Sequence, residues 1–178
     1  MTPRRLCGLV AAAFLFGIIV GLALAATPAL TRAAFADKDP RVAADDVLAV
    51  AIGQAGDGTW ERLAIARALY LGGEKDRGQL LIDSVLKGKP EASDLRRALQ
   101  IYGEAEEWDK ALPIADQLVA MAPQDADDLA QAGAWCNVAG QREKAEALFT
   151  RALAKGSKDV WVTTMIGGSY LGVGPLPQ

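Results

Sequence analysis

One ordering of bulky and small residues returns along this chain every 33 or 34 positions, and that recurrence limits the folds open to it more than any other feature. Between Ala126 and Asp159 it runs Leu129, Ala132, Gly133, Cys136, Gly140, Ala145, Phe149, Ala152. Thirty-four residues earlier stand Leu95, Ala98, Leu99, Tyr102, Ala111, Ala115 and Leu118, with Pro123 after them. A further 33 back stand Ile65, Ala66, Leu69, Gly73, Gly78, Ile82, Val85 and Pro90. Forward from the first stretch, Ile166, Gly167 and Tyr170 match the opening of a fourth unit, and Gly174 its turn. A unit of this length cannot bury its own apolar face. Stacking the next unit on it does, so the period predicts a continuous core shared between neighbours.

Within each unit the pattern is helical. From about residue 41, alanine and leucine are abundant and apolar residues recur at i, i+3 and i+4. Breaks fall at Gly56-Asp57-Gly58, Gly72-Gly73, Lys87 to Pro90, Glu104 to Trp108, Pro123, Gly140 and Gly156. Helices of about a dozen residues joined by short turns predict antiparallel hairpins. Ala132, Gly133, Ala145 and Gly78 are expected where two helices cross closely, with Tyr102 and Phe149 filling the space beside them. Proline after a second helix ends it.

Over residues 59–172 these positions resemble the tetratricopeptide-repeat family. The resemblance implies an all-α, right-handed superhelical solenoid of helical hairpins, with units at 59–91, 92–125 and 126–159 and a half repeat at 160–172. Three positions depart from the family pattern. Leu69 and Cys136 replace the aromatic residue of the first helix, and the second unit has Glu106-Glu107 where a turn glycine belongs. Residues 37–58 read as a linker and a capping helix with Val42, Ala44, Leu48, Ala51 and Ile52 on one side; Asp39 caps it and Pro40 opens it. Residues 173–178 form a C-terminal tail, because Gly172-Val173-Gly174-Pro175 cannot continue a helix. The last helix is almost uncharged, so it is expected to be covered by the array, a second copy or a partner.

Residues 1–36 are different in kind, with three arginines and no acids. Arg4 and Arg5 precede an uncharged run, Leu6 to Ala26, long enough to cross a bilayer as a hydrophobic N-terminal helix. Two fates stay open: a signal peptide cleaved after Ala25 or Ala36, or an uncleaved inner-membrane anchor. Both place the repeats in the periplasm of a bacterial envelope. Gly17 and Gly21 form a small-xxx-small pair within the run. Cys7 lacks a lipobox, and no disulfide with Cys136 is expected.

Composition excludes several chemistries. The residues after 36 carry 16 Lys+Arg against 22 Asp+Glu, a mildly acidic balance with no basic face for nucleic acid. The chain has no histidine, which removes the usual general base and commonest metal ligand. No zinc spacing or phosphate-cradling loop occurs, so neither cofactor nor catalysis is expected. The acids at 104–109 and 125–128 read as solvated turns and a helix start.

Family resemblance places an extended peptide or a partner helix against the first helix of each unit. The inward positions it implies include Trp60, Arg67 and Tyr70 in the first unit, Arg96 and Gln100 in the second, Asn137 in the third, and Trp161 in the last helix. Arginine forks suit a carboxylate, amides pin a peptide backbone, and Trp60 and Tyr70 add amphipathic contact area. The expected partner is a peptide with an acidic group or a free C-terminus. The competing reading pairs these arginines with neighbouring acids. Association into a homo-oligomer through the apolar last helix is an alternative, as is a regulatory subunit of an envelope enzyme.

Overall fold

The computed structural model describes residues 27–176. The apolar run 6–26 and Cys7 lie outside them, and no helix among the described residues is long and apolar enough to cross a membrane. The described residues form a short 3-10 helix at Arg32–Ala34 and eight α-helices: α1 (Pro40–Ala55), α2 (Thr59–Leu71), α3 (Lys75–Leu86), α4 (Ala92–Glu104), α5 (Trp108–Met121), α6 (Ala126–Val138), α7 (Arg142–Gly156) and α8 (Val160–Tyr170). They contain no strand.

Helices α2–α3, α4–α5 and α6–α7 pair as hairpins. Along α2, α4, α6 and α8 the backbone of each first helix comes close to the next, whereas α3, α5 and α7 approach one another only through side chains, Lys110 with Gln79 and Lys144 with Asp116. The stack is therefore tight along the first helices and splayed along the second, which makes the first-helix side the inner face. One cluster of buried side chains runs through all three hairpins into α8, from Leu63 and Ile82 through Leu99 and Leu118 to Leu129, Phe149 and Val162.

Local chemistry explains each boundary. Asp39 caps α1 by accepting from the Arg41 amide at 2.9 Å, with Pro40 at the first helical position. Glu91 and Asp94 form a reciprocal capping box on α4, and Asp125 accepts from the Asp128 amide on α6. Inside the hairpins glycine is required by space: a Cβ at Gly78 would stand 2.9 Å from the Ala66 carbonyl oxygen and one at Gly133 2.7 Å from the Phe149 ring. Ala132 and Ala145 are fully buried, as crossing positions should be.

All four first helices end in one motif. The amides of Glu74, Glu107, Gln141 and Val173 donate to the carbonyls of Leu69, Tyr102, Cys136 and Gly168, five residues back. The residue before each of those amides has positive φ: Gly73 (96°), Glu106 (56°), Gly140 (81°) and Gly172 (76°). This is the Schellman turn, which favours glycine at its left-handed position. The second unit builds it on Glu106, so the missing glycine cost strain rather than the turn.

The fourth unit needs a correction. A straight 34-residue step assigns Ile166, Gly167 and Tyr170 to its core and Gly174 to its turn. The buried residues are instead Val162, Met165 and Ser169, while Tyr170 is about half exposed. A Cβ at Gly167 would meet nothing, and Gly172 makes the turn. The register is short by one residue in α8 and by two at the turn. Trp108 is the first residue of α5, tilted against Trp135 with ring centroids 6.4 Å apart.

α1 buries no side chain completely. It is held to the stack by polar contacts: the Arg41 guanidinium donates to the Gly72 carbonyl at 2.8 Å, and Arg77 on α3 pairs with Asp45. Residues 27–35 return along it, with Gln54 donating to the Pro28 carbonyl at 2.8 Å.

Candidate functional site

The inner face of α2 and α4 carries a shallow groove of about 410 Å³ bordered by Ala64, Arg67, Arg97, Gln100 and Leu176. The helical period puts Ala64 and Arg67 on one side of α2, and Arg97 and Gln100 on the matching side of α4. Leu176 arrives from the far end of the chain.

The two singled-out arginines are engaged within the fold. Arg67 makes a two-pronged contact with Glu104, at 2.6 and 3.0 Å, and the paired carboxylate raises the guanidinium pKa. Gln100 donates to the same carboxylate at 2.8 Å. Arg96 pairs with Asp128 at the α4–α6 contact; Asp128 is buried, and the pair raises the arginine pKa. Both arginines are already charge-paired inside the fold, Arg67 through two of its donors and Arg96 through Nε, which favours the pairing with neighbouring acids over an open arginine fork. One Asp128 oxygen and one of Asp127 have no partner among the described residues, and burial pushes the Asp127 carboxyl pKa up.

Tyr70 is corrected from groove to core. It is 1% exposed, its ring meets Tyr102 edge to face, and its hydroxyl bonds Glu107. Around it lies a polar network joining the first two hairpins. Lys110 donates to the Tyr70 hydroxyl at 2.8 Å and to Gln79 at 3.1 Å, and Gln79 donates to the Tyr102 hydroxyl at 2.8 Å. Lys75 reaches Glu107 at 2.6 Å. Hydrogen bonds from Lys110, Lys75 and Tyr70 hold the Glu107 carboxyl at about 2. Burial works against the Lys110 charge, but Glu107 and Tyr70 outweigh it and raise its pKa. Burial is also the main cause of the raised pKa at Tyr70.

Asn137 donates to the Ser169 hydroxyl at 3.0 Å and ties α6 to α8. Trp60 and Trp161 are the two singled-out residues that stay open, at 54% and 57% exposed. They stand on opposite ends of the inner face, on α2 and α8. Cys136 is fully buried, and burial likewise pushes its thiol pKa up.

Sequence reasoning missed Arg97, Ala64, Trp135 and the segment after α8. Arg97 makes no ion pair among the described residues, and its guanidinium lies over the Trp60 ring, 3.0 Å from the centroid. Its signal is in the helical spacing: it stands three residues before Gln100, on the same side of α4. Trp135 is nearly buried between two glycines. A Cβ at Gly103 would lie 2.5 Å from its ring, and one at Gly174 2.1 Å. Its indole N–H has no acceptor among the described residues.

From Gly174 the chain crosses the inner face toward the groove on α2 and α4. Beneath it lies an apolar cavity of about 500 Å³, walled by Trp161, Thr164, Met165 and Gly168 of α8 on one side and Val173 to Leu176 on the other. No group of His, Cys, Asp and Glu among the described residues could hold a metal ion. No protein-family model, curated protein or solved structure matches the chain.

Proposed function

We propose that the chain is a non-enzymatic, tetratricopeptide-like scaffold. It holds an extended segment of a protein partner on the inner face of α2, α4, α6 and α8. The observation that carries this reading is the groove between Ala64, Arg67, Arg97 and Gln100, flanked by the exposed Trp60 indole and the Arg97 guanidinium stacked on it. Aromatic and arginine side chains of this kind dominate binding energy where partners meet. With Arg67 and Arg96 neutralised internally, Arg97 is the cation left for an acidic group. The apolar run 6–26 supports a location at the bacterial envelope for this scaffold, anchored in the inner membrane or released to the periplasm.

The test is affinity capture from solubilised membranes with the full chain, against Ala64→Trp and Arg97→Glu. Ala64 is exposed, so a tryptophan there fills the groove without entering the core. Both variants should lose a partner that the unaltered chain retains. An unchanged set of captured proteins removes the reading.

A second reading, self-association through α8, rests on the exposure of Val160, Trp161 and Leu171 along and just after that helix. Sedimentation of residues 37–178 decides it, and a mass that stays monomeric as concentration rises eliminates it.

A further inference from the structure

We propose that residues Val173–Leu176 are an internal ligand of the inner face, and that the partner segment taken there shares their chemistry: extended, with a glycine, then a proline, then a branched apolar residue. This rests on the scaffold reading above and specifies its ligand.

The segment is seated by its covalent structure. The Schellman turn at Gly172 ends α8 with the Val173 amide donating to the Gly168 carbonyl at 3.0 Å. At the corresponding turns the chain enters a second helix at Lys75, Trp108 and Arg142. Here it remains non-helical and lies on the inner face instead. Each residue fits for its own reason. Gly174 stands so close to the Trp135 ring that any side chain would collide with it. Pro175 is buried, and because it has no N–H, burial strands no donor. Leu176 reaches the groove beside Arg67 and Arg97. Pro175 fixes its own φ and biases the residue before it toward an extended conformation, which lowers the entropy lost on seating the segment.

The same geometry makes the segment displaceable. Residues 174–176 donate and accept no hydrogen bond among the described residues, so only apolar contact holds them. Leu176 is 71% exposed, and a cavity of about 500 Å³ lies between the segment and α8. A longer segment of the same type, filling that cavity, would outcompete the internal one.

The probe is a fluorescein-labelled peptide with the sequence of residues 172–178, read by polarisation against full-length protein in detergent and a variant lacking residues 174–178. A segment seated nine-tenths of the time weakens apparent binding about tenfold. The shortened variant should therefore bind about tenfold more tightly than the full chain. Replacing the peptide's first proline, the counterpart of Pro175, with alanine, or adding Ala64→Trp to the protein, should remove that binding. Pro175→Glu in the full chain is the second variant: it should release the segment, open the site to the peptide and change Trp135 fluorescence. Equal peptide affinity for full and shortened chains overturns the proposal, as does failure of both altered chains to bind. If the shortened chain fails with the peptide yet captures a membrane partner in an Ala64-dependent way, the internal-ligand idea falls and the scaffold stands. If that capture is absent too, both fall.

Discussion

At Glu107, three donors from three elements converge on one carboxylate, so its protonation tests the contact between the first two hairpins. Its pKa is lowered from an ordinary 4.5 to about 2, and the stabilisation it provides is therefore complete above the unfolded value and is lost as pH falls toward 2. Glu107→Gln should cost about 1.5–3 kcal/mol at neutral pH, the range for hydrogen bonds to charged groups. The gap between variant and parent should close between pH 4.5 and 2. Thermal melts across that window check both statements; a gap independent of pH would refute the assignment. Arg96 is a different case. Removing it leaves the buried Asp128 carboxylate unpaired, so Arg96→Leu should destabilise by about 3 kcal/mol, and adding Asp128→Asn should recover part of the loss. Urea denaturation of the single and double variants measures it. Arg96 therefore cannot serve as a clean probe of partner binding, whereas Arg97 can. The sequence displays all these charges but not their pairing, because each partner lies about one unit away. Arg67–Glu104, Tyr70–Glu107, Arg96–Asp128 and Asn137–Ser169 are separated by 32 to 37 positions. Once the period is known, looking one unit ahead of each polar residue would have found them.

Among the elements, the four equivalent turns show how far periodicity reads through. The helices could be placed because their apolar spacing and their breaks agree, and Gly78 and Gly133 stand where only a hydrogen fits. Glu106 shows that the turn is imposed by its hydrogen bonds and the flanking helices rather than by glycine alone. A non-glycine residue in that conformation costs about 1–2 kcal/mol, so Glu106→Gly should raise stability by about 1 kcal/mol, less the added freedom of the unfolded chain. An increased urea midpoint at unchanged slope is the expected result. The fourth unit was misread because α8 has 11 residues where the other first helices have 13. A shift of one or two positions is hard to detect in a segment that carries no charge to mark its outer face. The segment after α8 was recognised as non-helical but not as packed, since its contacts are with residues tens of positions away.

For the whole molecule, α8 is a lid on the core rather than a detachable end. Val162 and Met165 are buried against the preceding hairpin, and each is worth about 1.5–3 kcal/mol. Deleting residues 160–178 should lower stability by about 3–5 kcal/mol and raise light scattering, whereas deleting 174–178 should leave the melting temperature within a few degrees of the parent. If the long deletion leaves stability unchanged, α8 does not close the stack. One consequence of the fourth turn concerns engineering of array length. The hydrogen bonds that launch a second helix are already formed at Gly172 and Val173. Substituting the 15 residues Arg142–Gly156 for Gly174–Leu176 should therefore extend the array by a full antiparallel partner without redesigning the junction. The fourth turn is a junction whose hydrogen bonds are already set, and the added helical signal at 222 nm would show whether a second helix can be installed there by sequence alone.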